Sequence, residues 1–255
     1  MSGTVAPPGA SGVRNLLLAG GVHHPVEASA PSLVDALARQ GIATDVEEDI
    51  EAGLRRLAGG GYRLLTVSAL RWRMQDPKYD AHRARWGLAL SEEARAAIRA
   101  HLRGGGALLA LHTAAICFDD WLQWGEILGA RWVWGQSGHA PFGEVEVQFD
   151  AAPPDSIAAG LSAFACEDEV YERMWLAPDV QPLAHARNRS TPEGGPGPWT
   201  PVLWTREWEG ARVVFDALGH NARSLDHPVH RALLEQAVTW VLGRENPASA
   251  TANKA

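Results

Sequence analysis

Three histidines in this chain close apolar runs: His24 ends RNLLLAGGVHH, His112 ends GGGALLALH and His220 ends ARVVFDALGH, while a fourth, His139, sits in QSGHAP. Imidazole exchanges protons near neutral pH, and its neutral form is also a metal ligand. The run CEDEVY adds Asp168 and Glu169, and a carboxylate among imidazoles can serve as general base, orient a ring or complete a metal shell. If EDEVY begins a strand, alternation sends one carboxylate to solvent and the other to the site, and Tyr171 shares the face of Glu169. The plainer alternative for each histidine is a packed ring satisfied by a backbone carbonyl. Against it, a titratable ring at a strand end is costly packing if packing is its only task.

His112 stands where many α/β enzymes carry a nucleophile: a Gly-rich turn, a short apolar run, then a small-residue step into a helix. No thiol or hydroxyl replaces it there. Cys117, five residues on, is expected inside the helix, and neither it nor Cys166 lies in a CxxC spacing, so both are expected reduced and buried. No HxH or HExxH spacing demands a metal either.

The elements that must position these groups follow from periodicity. RNLLLAG reads as a buried strand, PSLVDALARQG as a helix ending at Gly41, and ATDVEED and YRLLTVSAL as further strands. A helix opened by Ser91 and ended at Gly104 leads into the strand ALLALH. This βαβαβ rhythm predicts a parallel sheet wrapped by helices. Beyond residue 131 come shorter runs, GEVEVQFD, EVYERMW, PLAHAR, PVLWTREW and ARVVFDALG, before the helix HPVHRALLEQAVTWVLG, and these read as antiparallel additions. The expectation is one α/β domain over residues 13–244, doubly wound and mostly parallel, between disordered segments 1–12 and 245–255. Ligands of open parallel sheets bind outside the strands' carboxyl ends, so His24, His112 and His220 are expected to meet there, with His139 joining them.

Composition excludes some partners. A net charge of -7 lacks the Lys/Arg surplus needed to neutralise phosphates, so no nucleic acid is expected. No apolar stretch nears the roughly 20 residues that span a bilayer, and the first residues lack a signal peptide's pattern, so a cytoplasmic protein without a membrane partner is expected. The stretch RWRMQDPKYDAHRARW interrupts a strand-to-helix turn and reads as a lid, a surface flap or a subunit contact in a homo-oligomer. Its Trp72, Tyr79 and Trp86 could stack on the flat face of a ligand, and Arg73 is a donor for its polar groups. Trp121, Trp124, Trp132 and Trp134 cluster near His139 as further pocket walls, with Trp124 assigned to substrate.

Five segments in order, GGVHHP, GGGALLALHTA, WGEILGARW followed by GHAP, EDEVY, and PVLW followed by RVVFDALGH, resemble the ThuA-like family, named for a trehalose-utilisation protein and related in fold to class I glutamine amidotransferases. The resemblance spans Val13 to about Gly243. It implies a flavodoxin-like sheet, a role in carbohydrate metabolism, Glu169 turned toward the site, and His112 in the neighbourhood of the absent amidotransferase cysteine. Glutamine hydrolysis needs that thiolate and is not expected. The function expected is acid–base chemistry on a sugar or keto-sugar, isomerisation or cleavage next to a carbonyl, with His112 as base, Glu169 as acid and His220 polarising the substrate. His24, His139, Tyr171, Trp72, Arg73 and Trp124 are the expected substrate contacts. A divalent metal such as zinc is optional, with His24, His112 and His220 as its ligands. The alternative is a sugar-binding or assembly module without catalysis.

Overall fold

The computed structural model describes residues 12–153 and 155–244; apart from Gly12, the segments read as disordered lie outside the described residues. Its centre is a sheet of nine strands: β1 (Arg14–Gly21), β2 (Ala43–Glu47), β3 (Leu64–Leu70), β4 (Ala107–Leu111), β5 (Gly143–Phe149), β6 (Phe164–Asp168), β7 (Ala184–Asn188), β8 (Thr200–Trp208) and β9 (Ala211–Asp216). Their order is β2-β1-β3-β4-β9-β8-β7-β5-β6. The first five in that order pair in parallel. The rest pair antiparallel, so only β5 and β8 run against the other seven. Leu16, Leu17, Leu18 and Ala19 of β1 are all fully buried, as a parallel strand covered by helices on both faces requires.

Seven α-helices surround the sheet: α1 (Val26–Arg39), α2 (Ile50–Ala58), α3 (Asp80–Trp86), α4 (Glu92–Arg103), α5 (Leu122–Leu128), α6 (Ala222–Leu225) and α7 (Pro228–Val241), counted among the described residues. The Asp49 carboxylate accepts from Ala52 N at 3.0 Å to start α2, and the Ser91 hydroxyl accepts from Ala94 N at 3.1 Å to start α4, caps worth about 1 kcal/mol each. Helix α1 begins five residues before the expected start and carries Pro31 inside it, because VEASA is rich in helix formers and Pro31 forfeits a single hydrogen bond. No helix among the described residues is long and apolar enough to cross a membrane.

Two local expectations are corrected. EVYERMW is not one strand: β6 ends at Asp168, Tyr171–Glu172 pairs with Gly138–His139, and Trp175–Leu176 pairs with Ala130–Arg131. Arg173, at φ 55°, turns the chain and breaks the ladder. Likewise β4 stops at Leu111, and a 3-10 turn over His112–Ala115 follows in place of the expected helix, which starts only at Leu122. Cys117 therefore lies in a turn. The 71–88 insertion carries structure of its own, a 3-10 turn at Pro77–Tyr79 and then α3, pinned by the buried Trp72 and Met74.

One feature of the sheet decides where the site lies. From β9 to β6 there are four strand steps, which in a flat sheet would be about 19 Å. Yet the Asp168 carboxylate at the end of β6 accepts from Gly219 N, just beyond β9, at 2.8 Å. The antiparallel half must curl back over the carboxyl edge of the parallel half.

Candidate active site at the carboxyl edge

His24 is delivered by a tight turn after β1. A Cβ on Gly21 would stand 2.4 Å from Leu70 O, so only glycine allows β1 to end this close to β3. His23 then takes φ 63° and reverses the chain, and Pro25 holds His24 extended while its Nδ1–H reaches Val22 O at 3.4 Å.

His112 adopts φ 43°, a left-handed backbone that a side chain other than glycine holds only under constraint. The constraint is visible. Thr113 Oγ1–H and the Cys117 thiol both donate to Ala69 O, at 2.6 and 2.9 Å, and His112 Nδ1–H donates to Ala217 O at 2.8 Å. That last bond fixes the ring so that Nε2 faces Tyr171, His220 and Glu169.

His220 and Glu169 are placed by one group, Asp168, which is fully buried and not turned to solvent as alternation suggested. Its carboxylate accepts from Glu169 N at 2.7 Å, Gly219 N at 2.8 Å and His220 N at 3.3 Å. Alternation failed because β6 ends at Asp168 and the chain leaves the pleat there.

The four groups converge. His24 Nε2 lies 3.2 Å from His220 Nδ1, which lies 3.3 Å from His112 Nε2. Glu169 Oε2 is 3.1 Å from His220 Nδ1 and 3.6 Å from His112 Nε2, and its Oε1 is 3.6 Å from His139 Nδ1. Tyr171 Oη sits 3.0 Å from His112 Nε2, with the phenol ring stacked on the imidazole at 4.4 Å. One donor atom from each of His24, His112, His220 and Glu169 falls within 4.8 Å of the others. Three imidazoles and a carboxylate are a donor set that zinc and similar divalent ions accept.

Burial and charge set the protonation states. Burial favours protonated Glu169, but hydrogen bonds from His112 and His220 and the nearby His139 outweigh it and hold the carboxyl far below the usual carboxylate range. For His112, burial favours the neutral ring, and the Glu169 and Asp168 charges outweigh it, so it binds a proton more readily than free imidazole. His24 is pushed down to about 3 by burial and by its histidine neighbours, and is neutral. Burial raises the Tyr171 phenol well above its usual value, so it remains a donor.

The other expected contacts divide. His139 is exposed beside Glu169, and its Nδ1–H donates to Ala140 O at 2.8 Å. Trp72 and Arg73 line a neighbouring cavity. Trp124 lies in the core: it is 1% exposed, and its indole N–H donates to Ala114 O at 2.8 Å, so no part of it is left for a substrate. His23 turns outward toward His82, with ring centroids 5.7 Å apart. Sequence reasoning missed the three-way clamp of Asp168, for which no local pattern exists; Trp132 stands against His139, as its place in sequence suggested, and also against Tyr171.

Comparison with known proteins agrees with this fold. A putative ThuA-like protein from Parabacteroides merdae superposes with a TM-score of 0.71 at 18% identity, covering 92% of this chain and 91% of the other. A second, from Bacteroides uniformis, gives 0.63 at 15% identity over 95% and 96%. A cold-adapted β-galactosidase from Rahnella sp. R3 gives 0.55 at 15% identity, with 93% of this chain matching 32% of that one. At these identities the likeness is one of fold, and it fits a flavodoxin-like sheet. No curated protein matches the sequence significantly. The profile of the family described as ThuA, trehalose utilisation, matches residues 15–241, and the chain belongs to that family.

Proposed function

We propose that the protein is an enzyme of carbohydrate metabolism that acts on a sugar or keto-sugar by proton transfer at His112, His220 and Glu169. The reaction class is isomerisation through an enediol or cleavage next to a carbonyl. The observation that carries this reading is the convergence of Glu169 Oε2 on His220 Nδ1 at 3.1 Å and on His112 Nε2 at 3.6 Å at the carboxyl edge of the sheet, where the His112 ring favours its proton and the carboxyl its ionised form. Such reactions need one group to take a proton and another to give one near neutral pH. The charges favour Glu169 as base and His112 as acid, the reverse of the roles first expected. In this reading His220, with Nδ1 3.1 Å from Glu169 Oε2 and 3.2 Å from His24 Nε2, polarises the carbonyl. The Tyr171 hydroxyl is a donor for the oxygen on which charge develops.

The test is a mass-spectrometric screen of ketoses and keto-disaccharides with wild type and His112→Ala side by side. Turnover by wild type and its loss in the variant are expected. Turnover unchanged in His112→Ala removes the catalytic role. Sugar binding without product, at equal affinity in both proteins, favours a binding module instead.

A metal-assisted version of the same chemistry has its own support. His112 and His24 each donate Nδ1–H to a backbone carbonyl and turn Nε2 to the shared space, the outer-shell pattern of metal-ligating histidines. A divalent ion held by His24, His112, His220 and Glu169 would polarise a sugar carbonyl as a Lewis acid. Elemental analysis of protein purified without a histidine tag decides: below about a tenth of an equivalent, with activity indifferent to chelator, the metal is abandoned.

A further inference from the structure

A cavity of about 410 Å³ opens between the 71–88 insertion and the loop around Trp134. Trp72, Tyr79 and Trp134 wall it. The rings of Trp72 and Trp134 are 5.8 Å apart and tilted by 32°, and Tyr79 stands at 88° to Trp72 with centroids 5.0 Å apart. Trp134 is 44% exposed in a chain whose described large apolar side chains are otherwise covered, Leu122 and Trp199 excepted. An indole left open on a concave wall is a surface for an apolar face of a ligand.

The polar lining narrows what that ligand is. Arg73 is held by Asp119, through its side chain at 3.2 Å and its backbone N–H at 3.0 Å. Lys78 is paired with Asp76 at 3.4 Å. Two cations and two anions cancel, so the cavity offers no net charge to an anion such as a phosphate. What remains is a set of fixed donors and acceptors beside flat aromatic faces, which suits a neutral ring carrying hydroxyls.

Two side chains, Trp132 and Tyr171, stand between the cavity and His112. Trp132 lies edge-on to Trp134 at 6.1 Å and to Tyr171 at 5.2 Å, and Tyr171 stacks on His112. A molecule with one ring at the rim of the cluster, beside the exposed His139, and a second ring in the cavity would run past Trp132.

We propose that the Trp72–Tyr79–Trp134 cavity is the subsite for the second ring of a disaccharide whose first ring lies at the His112–Glu169–His220 cluster. The inference rests on the sugar-site reading of that cluster, and binding can be measured apart from turnover. Calorimetry with trehalose, maltose, cellobiose and glucose, on wild type and Trp134→Ala, is the test. At least one disaccharide is expected to bind about tenfold more tightly than glucose to wild type, and Trp134→Ala is expected to erase that advantage while leaving glucose affinity unchanged. A melting curve matching wild type confirms that the variant is folded, as the exposure of Trp134 leads one to expect. Gln75→Ala, at an exposed lining residue, is expected to lower disaccharide affinity by about twofold to threefold without touching glucose. The proposal is overturned if no disaccharide binds more tightly than glucose, or if Trp134→Ala leaves the disaccharide advantage intact. Disaccharide binding that depends on Trp134, with no product formed from any keto-sugar, keeps the subsite and removes the enzyme. Turnover that needs His112 but ignores Trp134 does the opposite.

Discussion

The sheet carries two histidine–carboxylate groups with nearly the same ingredients and opposite fates. At the carboxyl edge, His112, His220, His24 and Glu169 crowd nitrogen against nitrogen within hydrogen-bond distance, next to the half-exposed His139. Where β9 ends against α6 and α7, Asp216, Ser224 and His230 form a second set in which every residue is at most 1% exposed. His230 Nε2 meets Asp216 Oδ2 at 2.9 Å, and Nδ1 meets Ser224 O and Oγ at 3.0 Å each. Both nitrogens of His230 face oxygen acceptors, so an imidazolium there is satisfied and sealed. The edge cluster lacks that closure: its nitrogens face one another, and a ligand would relieve them. A buried serine, histidine and aspartate in contact is thus an internal brace here, and open coordination marks the candidate site.

The largest effect expected from this contrast is in activity. His112→Ala should lower turnover of any substrate found by about 10²–10⁴-fold, while His230→Ala leaves the turnover of the protein that remains folded within a few-fold. Equal losses in both variants would erase the distinction between site and brace. Stability should show the mirror image: His230→Ala strips a buried partner from Asp216 and should cost ~3–5 kcal/mol in denaturant unfolding.

The third expectation concerns the clamp. Asp168→Asn keeps the shape but turns an amide N–H₂ toward a backbone N–H, and should cost about 1–3 kcal/mol. Because the same carboxylate holds both Glu169 and His220, activity should fall more than stability explains, and kcat more than KM. A purely structural role would lower only the folded fraction.

A smaller effect is expected from pH. Burial favours the neutral form of His230, but the Asp216 charge and hydrogen bond outweigh it and raise its pKa above 6.5. A group whose pKa is raised by folding stabilises most below its unfolded value and loses that contribution as pH climbs through the folded value. The stability gap between wild type and His230→Gln should therefore be widest below about pH 6.5 and shrink above it. A gap that widens with pH would reverse the assignment.

The smallest effect is a null one. Burial holds both Cys117 and Cys166 up at about 12, so neither should alkylate at pH 8 in native protein.

Much of the parallel half was legible because fully buried strands such as RNLLLAG and ALLAL are continuous apolar runs between glycines. The strand-end rule then carried His24, His112 and His220 to one place. β6 was not legible. In FACED only Cys166 and Asp168 are buried, and a buried aspartate reads as a surface residue until its three backbone donors are seen. The inward turn of Glu169 came from family resemblance, since β6 ends at Asp168 and no strand alternation reaches Glu169. Trp124 was misplaced for a general reason: aromatic clustering in sequence marks a core as readily as a pocket, and only its spent N–H separates the two.

The curl of the sheet has a consequence for motion. β6 is an edge strand, paired on one side with β5, and its far end is tied to the carboxyl edge of the parallel half through Asp168 and Glu169. Residues 24, 112, 169 and 220 are separated by 88, 57 and 51 positions along the chain, so the site is assembled only from long-range contacts. An edge strand latched at its tip by a binding site opens less often when that site is filled. The amides of Phe164–Asp168 should then exchange hydrogen for deuterium more slowly once a ligand or metal occupies the cluster, so that the rim of the sheet reports occupancy of its centre.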